Sequence, residues 1–243
     1  MAVSKFTLTI DGGNTLTKYA LFDGQSILIE KVDGDLSGLI ARHSLSPTNT
    51  TCACVNVARN RKELSDFKVY DVSNYFKDQK FLEMPVNYSE TLGLDRLILA
   101  YLFFSDEKSV ALVDSGTFTT VDLVTPQGFQ GGFILPGLGL LLDTYSFGFN
   151  LDKYRPKDPN PKIELMPRDS QTAMSSGLMC TFIEPIRSIL AKLSYDELHF
   201  TGGNGEKLFT ELRNDSFQQC ASILFNPDLI HKALLKFLEK VKD

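Results

Sequence analysis

The chain has 243 residues, is 43% hydrophobic and carries a formal net charge of −5. That composition describes one large or two modest globular domains and excludes a disordered polymer. An acidic balance without a Lys/Arg cluster argues against a nucleic-acid surface, and the apolar stretch at residues 133–142 is broken by Pro136, Gly137 and Gly139 well short of a membrane span.

Strand signals open the chain at residues 6–10, 17–22 and 26–32. Neither a basic and apolar leader nor a cleavage site precedes them, so a cytoplasmic protein is expected. The turn that leaves the first strand carries Asp11, Gly12, Gly13, Asn14, Thr15, Leu16, Thr17 and Lys18. Glycines let main-chain N–H groups approach an anion, Asn14 and Thr15 add side-chain hydrogen bonds, and Lys18 supplies a cation. Asp11 would face a metal riding on phosphates. An ordinary hairpin turn has the same composition, and that alternative stands on this motif alone.

Helix-like residues 36–43, a strand at 51–57, a polar helix near 60–65 and a short strand at 68–71 follow, which predicts a mixed sheet flanked by helices. Residues 94–104 are apolar at helical spacing, begin directly after Gly93 and predict a buried helix. A polar connector near 104–108 then separates two similar halves, with domains expected at residues 1–106 and 107–243.

The second half repeats the grammar of the first. Residues 110–124 are again an apolar strand ending in Asp114, then Gly116 and Thr117, then another strand. Each turn joins two strands, so each is expected to be a hairpin with its tip at a ligand; no Walker G-x-x-x-x-G-K-[ST] string occurs. A strand at 131–135, a proline-rich loop at 154–167, a helix at about 172–193, a strand at 197–201 and helices around 207–212 and 227–242 complete the pattern. Cys52, Cys54, Cys180 and Cys220 show no zinc spacing, and Cys52 and Cys54 lie in a strand-like alternation that suits reduced packing residues.

Gly93, Leu94, Asp95 and Arg96 place an acid and a base at the first turn of the buried helix. One reading is local: Asp95 complements the helix dipole and Arg96 pairs with a neighbour. The other is chemical: Asp95 accepts a proton from an attacking hydroxyl and Arg96 holds an anionic substrate, the pair that phosphoryl transfer needs. Thr201-Gly202-Gly203 is either a third ligand turn or a plain strand-to-helix connection, and the run from Gly131 to Gly137 is either part of a site or a strand with bends. Thr172 at a helix start reads first as a cap. Asp122 is open between a metal-binding or buried acid and a solvated strand face.

The set DGGNTLTK, GLDR, DSGTFTTVD, GGFILPG, the residues 172–177 and TGG, in this order, resembles the type III pantothenate kinases of bacteria over nearly the whole chain. The glycine motifs belong to the wider acetate and sugar kinase, Hsp70 and actin superfamily, whereas GLDR marks this branch. The resemblance implies two ribonuclease H-like domains, a homodimer with its sites at the subunit interface, and phosphorylation of pantothenate by ATP with Mg2+ and a monovalent cation, K+ or NH4+. By position it implies that Asp11, Gly12, Gly13, Asn14, Thr15, Leu16, Thr17 and Lys18 contact ATP, with Thr117. Asp95 would be the general base. Tyr88, Gly93, Leu94, Asp95, Arg96 and Thr172 would line the pantothenate site, and Asp114 would bind the monovalent cation. This chain departs from the family pattern with Gly12 for an aliphatic residue, Phe118 for alanine, a shorter interval from Tyr88 to Asp95, and YSFGFNLD at residues 145–152. Rivals to this reading are another kinase or phosphohydrolase of the superfamily and a non-catalytic accessory regulator.

Overall fold

The computed structural model describes residues 5–13, 16–56, 62–148, 152–154, 156, 163–215, 217 and 220–242. Asn14 and Thr15 therefore lie outside the described residues, as do parts of the expected strand at 51–57, the helix near 60–65 and the proline-rich loop. Contacts divide the chain into two units: residues 1–104, 127–130 and 228–243 form the first, and residues 105–126 and 131–227 the second.

The first unit is built on strands β1 (Phe6–Gly12), β2 (Thr17–Asp23), β3 (Leu28–Asp33), β4 (Thr50–Val55) and β5 (Lys68–Asp71), in the spatial order β3-β2-β1-β4-β5. The first three run antiparallel as a meander, and β4 and β5 add in parallel after the crossover through α1 (Leu36–His43). Asp35 caps α1 by accepting from Gly38 N at 2.9 Å. Phe6, Leu8 and Ile10 of β1 join Tyr19, Leu21, Leu36, Leu39, Cys52 and Cys54 in one core. The thiols of Cys52 and Cys54 are pushed up to about 12, chiefly by burial, as suits inert packing cysteines.

A small sheet that no pattern in the sequence announced follows: β6 (Phe76–Lys77), β7 (Lys80–Phe81) and β8 (Met84–Pro85). Asp78 and Gln79, between β6 and β7, both take positive φ, the geometry of a tight two-residue hairpin turn. Helix α2 (Leu94–Phe103) is buried from Arg96 through Tyr101, as expected of an all-round apolar helix.

The second unit repeats the order of the first. Strands β9 (Val110–Ser115), β10 (Phe118–Thr125), β11 (Gly128–Pro136), β12 (Glu197–Thr201) and β13 (Ser222–Phe225) lie as β11-β10-β9-β12-β13. Around them are α3 (Leu138–Thr144), α4 (Ser170–Leu190) and α5 (Gly205–Leu212), and Met179, Phe182, Ile183 and Ile186 of α4 pack on Ala111, Val113, Val121, Leu198 and Phe200. Strand β13 and helix α3 were not expected, since each is short and lacks a distinctive period.

The last helix, α6 (Leu229–Val241), packs on α2 and β1 and so belongs with the first unit, not with the block 107–243. It covers the alternate face of β1, which makes that strand buried on both sides. Lys236 on α6 donates from Nζ to the carbonyls of Tyr101 at 2.9 Å, Leu102 at 3.0 Å and Phe104 at 3.4 Å. These are carbonyls that the end of α2 leaves without intrahelical partners, and a cation there also complements the helix dipole. No described helix is long and apolar enough to cross a membrane.

Candidate active site

The two glycine turns are hairpin tips. In the first, Gly12 pairs with Thr17, leaving residues 13–16 as the tip; in the second, Ser115 pairs with Thr119, leaving residues 116–118. That one-residue difference in tip length accounts for the wider Asp-to-Thr spacing in the first copy. Asp11 and Asp114 occupy matching places, each one step before the last cross-strand pair, with Lys18 opposite Asp11 and Thr120 opposite Asp114. The parallel neighbours match too, Val55 beside Asp11 and Thr201 beside Asp114.

In the first unit, Gly12, Thr17 and Lys18 are partly buried, while Gly13 and Leu16 are exposed at the tip. Gly13 has no room for a side chain, because a Cβ there would lie 2.9 Å from the Leu16 carbonyl oxygen. The Asp11 carboxyl is pushed up to about 6, first by burial, with Lys18 opposing and the charge of Asp95 adding to the rise. Asp11 and Asp95, 84 positions apart in sequence, therefore feel each other's charge in the folded unit.

Asp95 is partly buried in the first turn of α2. Its Oδ1 accepts from the Arg96 backbone N at 2.8 Å, so the carboxylate also does the local work of a helix start. A Cβ on Gly93 would stand 2.6 Å from that oxygen; the glycine is there for space, since its φ of −61° suits any residue. Leu94 is partly buried beside it. The Arg96 side chain is 5% exposed, and its Cζ lies 5.2 Å from the centre of the Tyr88 ring and 5.7 Å from that of Phe129. Tyr88, Gly93, Leu94, Asp95 and Arg96 are thus one neighbourhood, despite the short interval between Tyr88 and Asp95. Phe129 belongs to none of the motifs in the sequence and lies just before the strand expected at 131–135, so nothing in the sequence singles it out.

In the second unit the turn at 115–118 is enclosed by the two segments whose roles were open. Gly137 N donates to the Thr117 carbonyl at 3.0 Å, and a Cβ on Gly137 would meet the Gly116 and Thr117 oxygens at 2.4 and 2.5 Å. Asn204 N donates to the Ser115 carbonyl at 2.8 Å. Gly202 has a φ of +85°, and a Cβ there would lie 2.4 Å from Asp114 Oδ1. Both glycine segments are therefore fitted against the turn; the Gly-Gly and Pro-Gly pairs were the legible signal. Asp114 is partly buried and Thr117 is exposed at the tip. Asp122 is 2% exposed, against Gly132, which removes the solvated-face alternative.

Thr172 is not the helix cap. Asp169 holds that position, accepting from Thr172 N at 2.9 Å and from Thr172 Oγ1 at 2.7 Å. The capping hydrogen bonds hold the Asp169 carboxyl below its usual range. Placing the helix two residues late came from reading Thr172, and not the acid before it, as the start signal.

A model of the type III pantothenate kinase family matches residues 7–192. The type III pantothenate kinase of Pelagibacter ubique is 26% identical over 255 residues, covering 96% of this chain and 98% of that protein. Among solved structures, a Campylobacter jejuni protein named as a Baf family transcriptional activator superposes with a TM-score of 0.65 at 20% identity, over 96% of this chain and 98% of that one. A Sinorhizobium meliloti protein named as a 2-dehydro-3-deoxygalactonokinase gives 0.62 at 12% identity, over 97% and 96%. These two likenesses speak for the fold alone, a pair of ribonuclease H-like sheets. With the family model spanning most of the chain and the motifs gathered as described, this protein belongs to the type III pantothenate kinase family.

Proposed function

We propose that this protein transfers the γ-phosphoryl group of ATP to the primary hydroxyl of pantothenate, giving 4'-phosphopantothenate for coenzyme A synthesis. One observation carries the reading of the site: a carboxylate, Asp95, is fixed at the start of α2, inside the electrostatic reach of Asp11 and next to a buried guanidinium. Phosphoryl transfer asks the protein for positioning and charge neutralisation more than for covalent chemistry.

Asp95 takes the proton of the attacking alcohol, and Arg96 orients the anionic substrate together with Tyr88, Gly93 and Leu94. The turn from Asp11 to Lys18 contacts the ATP phosphates, Asn14 and Thr15 included by position in the motif, and Thr117 contacts the nucleotide. Thr172 meets the pantothenate carboxylate from across a homodimer. Its hydroxyl already bonds Asp169, so in that role it would accept from water or exchange partners on binding.

The donor set suits a hard cation carried by phosphates. Among the described residues no group of three or more His, Cys, Asp or Glu could hold a metal unaided. Mg2+ is ordinarily bound by one or two carboxylates plus substrate phosphates, and Asp11, whose carboxyl is raised by burial and a neighbouring acid, is a group that a cation would relieve. Mg2+ held there would neutralise charge on the transferring phosphate. Asp114, walled by Gly202, is the residue for a monovalent cation. A cytoplasmic enzyme without a nucleic-acid partner fits this chemistry.

The test is Asp95→Asn. It should abolish pantothenate-dependent turnover while ATP binding persists; near-normal turnover would remove Asp95 as the base. Complementation of a strain lacking pantothenate kinase separates catalysis from an accessory role, and labelled ATP with a panel of alcohols and acids separates pantothenate from other acceptors.

A further inference from the structure

We propose that Phe129 is a positioning residue for pantothenate binding: it acts through Arg96, forming with Tyr88 the aromatic pair against which the guanidinium rests. The inference rests on the reading that Arg96 orients the substrate, and it adds a residue that no motif in the sequence indicated.

A guanidinium is a planar cation whose donors lie around its edge and whose faces are apolar enough to stack on aromatic rings. Tyr88 and Phe129 use that property. Both ring centres lie within the range of a cation–π contact from Arg96 Cζ, at 5.2 and 5.7 Å. The two rings are 5.9 Å apart and tilted by 59°, so they touch each other and meet the cation together from one flank, the three groups standing at the corners of a near-equilateral triangle. Two rings inclined to each other on that flank fix where the guanidinium rests and leave its far edge to make hydrogen bonds. With Arg96 only 5% exposed, the contacts are made away from bulk water, where they are strongest.

Phe129 is itself held from several directions, as a positioning role requires. It is fully buried, forms a parallel bridge with Val86, and accepts from Asn87 N at 2.9 Å through its carbonyl. Gly128 before it has a φ of +105°, and a Cβ there would lie 2.1 Å from the Pro85 carbonyl oxygen. Only glycine lets the backbone come this close to residues 85–87 and deliver the ring beside Tyr88.

The experiment uses the full chain with Phe129→Leu, and Phe129→Met as a second volume-conserving variant that guards against misfolding. Each should raise the pantothenate KM by about ten-fold, the effect expected of one desolvated cation–π contact, with kcat and the ATP KM changed by less than about two-fold. The same Phe129→Leu change made in an Arg96→Lys background should add less than about two-fold, because the planar cation it positions is gone. An unchanged pantothenate KM in Phe129→Leu overturns the proposal, as does an undiminished effect in the Arg96→Lys background or an equal loss in kcat and both KM values. Arg96→Ala is the control for the underlying reading: if it leaves the pantothenate KM unchanged, Arg96 does not orient the substrate and that reading fails first.

Discussion

Asp95 occupies the space that a side chain on Gly93 would need, with Oδ1 only 2.6 Å from where a Cβ at residue 93 would stand. The glycine keeps room for the carboxylate to lie back over the helix start and accept from Arg96 N. Gly93→Ala would push aside the end of a flexible side chain and not the backbone, so the fold should survive. The carboxylate would be displaced. We expect kcat to fall about 100-fold, the usual cost of misplacing a reacting group by an ångström, with the ATP KM within two- to three-fold of wild type. Steady-state kinetics beside a thermal melt distinguish this from unfolding; a variant with normal kcat would show that the orientation of Asp95 is unimportant.

In its proposed role at the phosphates, Asp11 would link pH to nucleotide binding. Burial raises its carboxyl to about 6, against the pull of Lys18 and with help from Asp95, so the charge that would attract a cation is lost as pH falls through that value. Mg2+-dependent ATP affinity should therefore drop below pH 6, and titration calorimetry should show a steeper drop in wild type than in Asp11→Asn, by up to about ten-fold more per pH unit, the shared part coming from protonation of the ATP phosphate itself. The sign for folding is opposite. A raised carboxyl binds its proton more tightly in the native state, so its contribution to stability is present below the unfolded value of 3.8 and is lost as pH rises through about 6. Asp11→Asn should accordingly be more stable than wild type at pH 7 by about 1 kcal/mol, once solvent screening of a partly exposed group is allowed for, while binding ATP less well.

His231 sets an acid limit on the first unit. Its Nδ1 lies 2.8 Å from Thr9 Oγ1, and that hydroxyl also donates to the Ala20 carbonyl at 3.2 Å, so the neutral ring with its proton on Nδ1 satisfies both groups. The ring is 1% exposed, and burial, with the field of Lys31 added, lowers its pKa to about 4. The unfolded chain takes up this proton first as pH falls, near 6.5. Stability is full above that value and is lost between 6.5 and about 4, by about 3 kcal/mol at most. Urea unfolding at pH 7 and pH 5 should show this slope in wild type, and His231→Leu paired with Thr9→Val should flatten it. A slope that persists in the double variant would place the acid sensitivity elsewhere.

The hairpins were legible because their causes are local. Alternating apolar residues, then Asp with glycines, then another alternating run encode a strand, a turn and a strand within about 15 residues. The same holds for the charged start of α2, where the glycine, the acid and the apolar period are adjacent. Thr9 shows where this reasoning stops. Nothing local says what Thr9 faces within β1: α6 covers it, and the imidazole that bonds it lies 222 residues away. Asp122 behaves likewise: whether an acid on a strand is wet or buried depends on what the other elements cover.

From its sequence alone this protein was determined to be a tandem of two strand–turn–strand units with an acid–base pair opening a buried helix, since backbone sterics and side-chain period act over a few residues. The tertiary structure decided which of those groups share a field and what surrounds them: Asp11 with Asp95, Arg96 against Tyr88 and Phe129, and Asp114 against Gly202. Those pairings follow from burying apolar faces of distant segments against one another, and burial is what raises Asp11, lowers His231 and strengthens the contact of two aromatic rings with a cation.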